Sequence, residues 1–218
     1  ERPFLKEKNQ IRISGNVTTV DNDDHANGTN IGMQVKTAYA ITDHFGIAAA
    51  YFSGKENDKY NQHSIYDDEA KSLSYRRKLG EISAGYFSSV NTRKNLFLEL
   101  YAGYGLGRNS IKESYRQPYY GGGFYSNNYD LFFLQPGIAL HHKNLFQVGI
   151  FLRTSLVSFK NSSTTYTDDI LMNKNVRLYE LNKHGFVFFQ PALSLRLPLS
   201  RKGNLNLNTE INGSFNLS

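Results

Sequence analysis

The sequence predicts an all-β fold: an antiparallel up-and-down transmembrane β-barrel of eight to ten strands, with long loops at one rim and short turns at the other. Three observations predict it. Apolar and polar residues alternate with period two in segment after segment, so each strand has one oily and one polar face. The segments run longer than ordinary strands, and no helical layer is available to cover the oil. Long and short connections alternate along the chain, the asymmetry of membrane-spanning barrels.

The segments follow in order. The first, 9–20, sets Ile11, Ile13, Gly15 and Val17 against Gln10, Arg12, Ser14 and Asn16. After a polar loop at 21–27, the second puts Ile31, Met33, Val35, Thr37, Tyr39 and Ile41 outside, with Gln34 and Lys36 inside. The tight turn Thr42-Asp43-His44 leads into a third segment, 45–54, followed by a long polar loop, 55–74. Segment four, 75–88, carries Glu81 and Ser83 on its inward parity. A turn at 91–95 reverses into segment five, where Leu96, Leu98, Leu100, Ala102 and Tyr104 face out and Glu99 faces in.

A Tyr/Gly-rich loop is expected over 113–128. Segment six opposes Phe132, Leu134, Pro136, Ile138 and Leu140 to Gln135, Gly137 and Ala139. His142-Lys143-Asn144 turns into segment seven, which sets Phe146, Val148, Ile150, Leu152 and Leu156 against Gln147, Gly149, Arg153 and Ser155. Another long loop is expected over 160–185. Segment eight opposes Phe189, Pro191, Leu193, Leu195 and Leu197 to Gln190, Ala192, Ser194 and Arg196. After a turn at 200–204, the last segment, 205–217, is apolar, small or Thr at every odd position and Asn, Glu or Ser at every even one.

Pro136 and Pro191 are awkward inside a central ladder, and a bulge at each is the expected accommodation. These nine segments are odd in number, whereas single-chain bacterial barrels have even counts. Adding a strand within 172–181 gives ten; demoting one segment gives eight. Ten is favoured, because it brings the final strand down to the short-turn rim.

Composition bounds the function. A chain of 218 residues suits one barrel domain, 1–218, with 1–8 as a lead-in. No run of 18 apolar residues exists, which excludes a membrane-spanning helix. Mean hydropathy is −0.50, compatible with barrels because half of every spanning strand is polar. Fifteen Tyr and fifteen Phe suffice for interfacial aromatic girdles, and the absence of Cys excludes disulfides and thiolate metal sites. An exported barrel needs a signal peptide, so a chain starting at Glu1 is expected to be processed or trimmed. The net charge of +6 is scattered along strands and turns, without a basic run or helix, which argues against nucleic acid.

The inward parity collects Arg12, Lys36, Arg153 and Arg196 against Glu81, Glu99 and Glu210. Unpaired buried charges are costly, so these seven side chains are expected to pair in a narrow lumen. Barrels of about eight strands are just wide enough for side chains to fill. A plugged structural lumen is one reading, and a small-solute channel or proton path the other.

Chemistry-bearing constellations are sparse. The histidines His25, His44, His63, His141, His142 and His184 fall in loops, in turns or at strand ends. His25 beside Asp21, Asp23 and Asp24, and His63 near Asp67, Asp68 and Glu69, imitate acid–base sites but lack a nucleophile motif. The acidic run at 21–24 also lacks the glycine and glutamate spacing of an EF-type calcium loop. Gly103, Gly105 and Gly107 recur at period two and read as a smooth inner wall, with no phosphate loop. The loop containing Tyr115, Arg116, Tyr119, Tyr120, Phe124 and Tyr125 is the best candidate contact surface, because Tyr-rich, Gly-hinged loops offer amphipathic area. Self-packing of the same rings over the barrel mouth is the alternative. No catalytic, cofactor or metal site is predicted.

Several blocks carry a family resemblance: Pro3-Phe4-Leu5-Lys6-Glu7-Lys8-Asn9-Gln10-Ile11-Arg12-Ile13-Ser14-Gly15, Ala38-Tyr39-Ala40-Ile41-Thr42-Asp43-His44-Phe45-Gly46, Gly80-Glu81-Ile82-Ser83-Ala84-Gly85-Tyr86-Phe87, Glu99-Leu100-Tyr101-Ala102-Gly103-Tyr104-Gly105, Phe132-Phe133-Leu134-Gln135-Pro136 and Gln190-Pro191-Ala192. Together they resemble small outer-membrane β-barrel lipoproteins of the Bacteroidota. The resemblance implies a lipid-modified Cys just upstream of Glu1 and no catalytic residues. The expected function is a non-enzymatic barrel of a Gram-negative outer membrane, acting as an accessory or scaffold subunit among other outer-membrane proteins. A narrow solute channel is the alternative, and a lipid- or peptide-acting enzyme ranks third.

Overall fold

The computed structural model describes residues 5, 7–21, 29–61, 70–93, 95–115, 122–142, 146–167, 182–199 and 206–217. They contain no helix. Ten strand segments form a single antiparallel sheet: β1 (Ile11–Asp21), β2 (Thr29–Ala40), β3 (Phe45–Asn61), β4 (Ala70–Ser89), β5 (Leu96–Tyr115), β6 (Gly123–His142), β7 (Phe146–Thr164), β8 (Gly185–Pro198), β9 (Asn206–Asn212) and β10 (Phe215–Asn216). Each strand pairs with the next in sequence from β1 to β8, and β9 and β10 both pair with β8. The sheet curls into a half-barrel with one convex and one concave face.

β9 and β10 lie on one line. Ala192 faces Asn212 and Phe189 faces Phe215, so the register is constant across the gap between them. The gap falls opposite Pro191, which has no N–H to give the ladder; its carbonyl still accepts from Gly213 N at 3.2 Å. Pro136 interrupts the β6–β7 ladder in the same way, and the register on either side is again unchanged. The bulges expected at the two prolines are therefore absent, since losing one donor costs a bond without displacing the chain. The bulge lies elsewhere. Asn127 faces two residues, Asn161 and Ser162, and Asn161 takes a left-handed conformation (φ 51°) that Asn tolerates well.

The predicted faces match observed exposure. Ile13, Val17, Ile82, Leu106, Phe132, Ile150 and Ile211 lie on the convex face and are each more than half exposed. No second sheet or helical layer covers them among the described residues. On the concave face, Phe87, Tyr101 and Phe151 are at most 1% exposed.

Two of the expected long loops, 55–74 and 113–128, prove to be largely strand, and strand also takes the start of the third, 160–185. β3 runs to Asn61 and β4 starts at Ala70; β5 runs to Tyr115 and β6 starts at Gly123; β7 runs to Thr164. In these stretches polar residues fall on both faces and apolar ones are sparse, so the alternation that marks a strand in sequence is missing. Backbone ladder bonds continue regardless of side chains. The additional strand expected within 172–181 lies outside the described residues.

Candidate functional site

The concave face is built from glycines and the rings that cover them. Its inward residues form rows across the strands, and in four places a glycine sits directly opposite an aromatic: Gly85–Tyr101, Gly103–Phe133, Gly107–Tyr129 and Gly137–Phe151. In each pair the ring lies where a glycine Cβ would be, so a methyl group there would overlap it. Glycine weakens a strand by leaving it without packing, and a cross-strand ring restores the contact. The smooth inner wall expected around Gly103 and Gly107 is therefore a floor for Phe133 and Tyr129.

Over that floor lies an ion pair between two of the predicted interior charges. Arg153 of β7 donates to both carboxylate oxygens of Glu81 on β4, with the Nη1–Oε2 contact at 3.3 Å. Its guanidinium stacks 3.8 Å from the Phe133 ring centroid, and its Nε donates to Ser155 Oγ at 3.2 Å. Three strand spacings separate β4 from β7, about 14 Å if the sheet were flat. Glu81's row meets β7 at Val157, four residues from Arg153, which adds about 13 Å along the strand. Only a curled, sheared sheet lets the two side chains meet. Their side chains are 19% and 13% exposed, so the pair sits inside the half-barrel, largely out of water.

The other five predicted interior residues spread along the same face. Lys36 shares a row with Glu81, separated by Ala50. Glu99 is buried in the row of Phe87, Gly137 and Phe151. Glu210 lies opposite Ser194 and diagonal to Arg196. Lys36, Glu99, Arg196 and Glu210 all have interaction partners. Arg12 keeps Nε and Nη1 buried without a hydrogen-bond partner among the described residues.

The floor of the half-barrel is closed by a residue the sequence did not single out. Leu5 of the lead-in is fully buried with Ala38, Ala40 and Phe87. Backbone bonds hold the lead-in there: Asn9 N donates to Ala40 O at 2.8 Å and Lys8 N to Asp43 Oδ1 at 2.9 Å. At the opposite end, Arg77 Nε donates to Tyr129 Oη at 3.3 Å, and Tyr166 bonds to the buried Glu113 while covering Gly123. Register is what makes these partners, and no sequence spacing reveals it.

The candidate contact loop divides. Phe124 and Tyr125 belong to β6 and are half-buried, Tyr125 Oη accepting from Asn127 Nδ2 at 2.7 Å. Tyr115 ends β5, while Arg116, Tyr119 and Tyr120 lie outside the described residues. So do His25, His63 and the acidic residues beside each, except that Asp21 ends β1. Of the remaining histidines, His141 is buried and stacks on Phe97 at 4.6 Å, and His44 stacks on Tyr86. Among the described residues, no cluster of His, Asp or Glu could hold a metal ion. Comparison with known proteins finds no matching family model and no match among curated proteins.

Proposed function

We propose that this chain is a non-enzymatic β-barrel protein of a Gram-negative outer membrane, serving as an accessory or scaffold subunit in a larger assembly. The convex face carries the membrane reading. On β7 its apolar residues run from Phe146 to Leu156, about 33 Å of strand, or about 25 Å of height at the usual tilt of spanning strands. That height matches the apolar band of outer-membrane barrels.

The subunit role rests on the edges. Among the described residues, β1 pairs only with β2, and β9 and β10 pair only with β8. In hydrocarbon, an unpaired row of N–H and C=O groups has no water to turn to. An added strand from another polypeptide satisfies it. The concave face, filled by rings and the Arg153–Glu81 pair, favours a structural lumen over a conducting one.

Purification from native membranes in mild detergent tests this reading. Partners should co-purify, and a cysteine at Ile13 on β1 should cross-link to one of them. A consistently lone monomer whose β1 cross-links only to its own β9 would overturn the subunit role. Planar-bilayer recording of the purified chain should be silent; reproducible unitary conductance would favour the channel.

A further inference from the structure

Just above the convex apolar belt, on β3, β4 and β5, lies a patch of positive charge that no carboxylate neutralises among the described residues. Lys55 sits directly opposite Arg76, and Lys78 directly opposite Arg108. All four are exposed and share the parity of Ile82, Leu106 and the rest of the convex face. Arg76 and Lys78 are two residues apart on one face, about 7 Å along the strand. Lys112 extends the patch upward on β5.

Like charges directly opposite one another destabilise a sheet. Two such pairs side by side are an arrangement a sheet does not adopt for its own stability. No outward position of the described β3, β4 or β5 holds a carboxylate. None of the four forms a salt bridge among the described residues. The next two strands differ: there Lys160 pairs with Asp130, whose hydrogen bond and charge raise the lysine's pKa. Among the described residues, the uncompensated charge is thus confined to three strands.

Immediately below the cations the belt has a notch. Gly80 lies between Tyr51 and Leu106, and a side chain there would meet nothing within 4 Å. Phosphate above and an acyl chain below is the chemistry that fits this juxtaposition. We infer that Lys55, Arg76, Lys78 and Arg108 bind the phosphate of a lipid headgroup, with an acyl chain lying over Gly80. The inference rests on the membrane reading above. A headgroup phosphate supplies the missing anion at the height where headgroups begin, and each basic residue near a charged lipid surface strengthens the attraction.

The chain has no cysteine, so a single label can be placed at Leu106→Cys. The labelled protein is inserted into phosphatidylcholine vesicles, and acyl-brominated phosphatidylcholine or acyl-brominated phosphatidic acid is titrated in as quencher. Phosphatidic acid should quench at a lower mole fraction than phosphatidylcholine. Arg76→Gln, Lys78→Gln and Arg108→Gln should each weaken that preference about fivefold. Arg93→Gln, in the turn at the opposite rim, should leave it unchanged and controls for folding and net charge. Equal quenching by both lipids in the parent, or a preference that survives the triple substitution, overturns the inference and leaves the membrane reading standing. No quenching by either lipid removes the membrane reading and this inference with it.

Discussion

Arg153→Met removes a guanidinium that touches three groups at once: both oxygens of Glu81, the Phe133 face and Ser155. What remains is a carboxylate only 13% exposed without that partner. Breaking a buried pair from one side costs about 3–5 kcal/mol, and the residual exposure here places the loss near the low end, about 3 kcal/mol. Glu81→Leu should cost less, about 2 kcal/mol, because Arg153 keeps its ring stack and its serine. The double variant replaces a buried pair with apolar side chains and should lose only about 2 kcal/mol, which implies a coupling of about 3 kcal/mol. Urea unfolding in detergent micelles, followed by far-ultraviolet circular dichroism, measures all four corners of the cycle. Single effects that add to within about 0.5 kcal/mol would refute the claim that the two side chains meet across a curled sheet.

Two further substitution experiments probe the packing of the concave face, the first against a convex-face control. Gly137→Ala forces a methyl into the Phe151 ring and should cost about 1–3 kcal/mol, whereas Gly80→Ala meets open space and should gain about 0.4–1 kcal/mol. The same unfolding assay ranks them, and the reverse order would contradict the ring-over-glycine packing. Leu5→Ala should cost about 2–5 kcal/mol if the lead-in seals the floor with Phe87, while a change below about 0.5 kcal/mol would mean that the lead-in does not dock.

What could be read from the sequence follows from what alternation encodes. Between Leu96 and Leu106, or Phe146 and Leu156, one face is oily almost throughout, while the other mixes polar and small residues with the rings Phe97, Tyr101 and Phe151, so both strand and facing are legible. From Glu56 to Asn61 or Arg108 to Tyr115 both faces are largely polar, with Ile111 the one aliphatic side chain, and the pattern vanishes although the ladder continues. The interior charges were identifiable by parity, but the choice of Glu81 for Arg153 depends on curl and shear, which appear in no local spacing. The same limit hid the glycine–ring pairs. Gly103 and Phe133 are thirty residues apart, and only the register places one upon the other. The sequence marks Pro136 and Pro191 as irregular positions but does not show how they are accommodated: the ladder tolerates one missing donor without a bulge.

The central claim is that the convex face touches lipid. Single cysteines placed in turn at positions 147 to 156 of β7, each carrying a nitroxide, test it most directly in reconstituted vesicles. Collision with molecular oxygen should peak at 148, 150, 152, 154 and 156, where a water-soluble nickel chelate should be excluded. Positions 149, 151, 153 and 155 should be shielded from both. Strong nickel collision at 150, 152 and 156, or no period of two at all, would contradict the account.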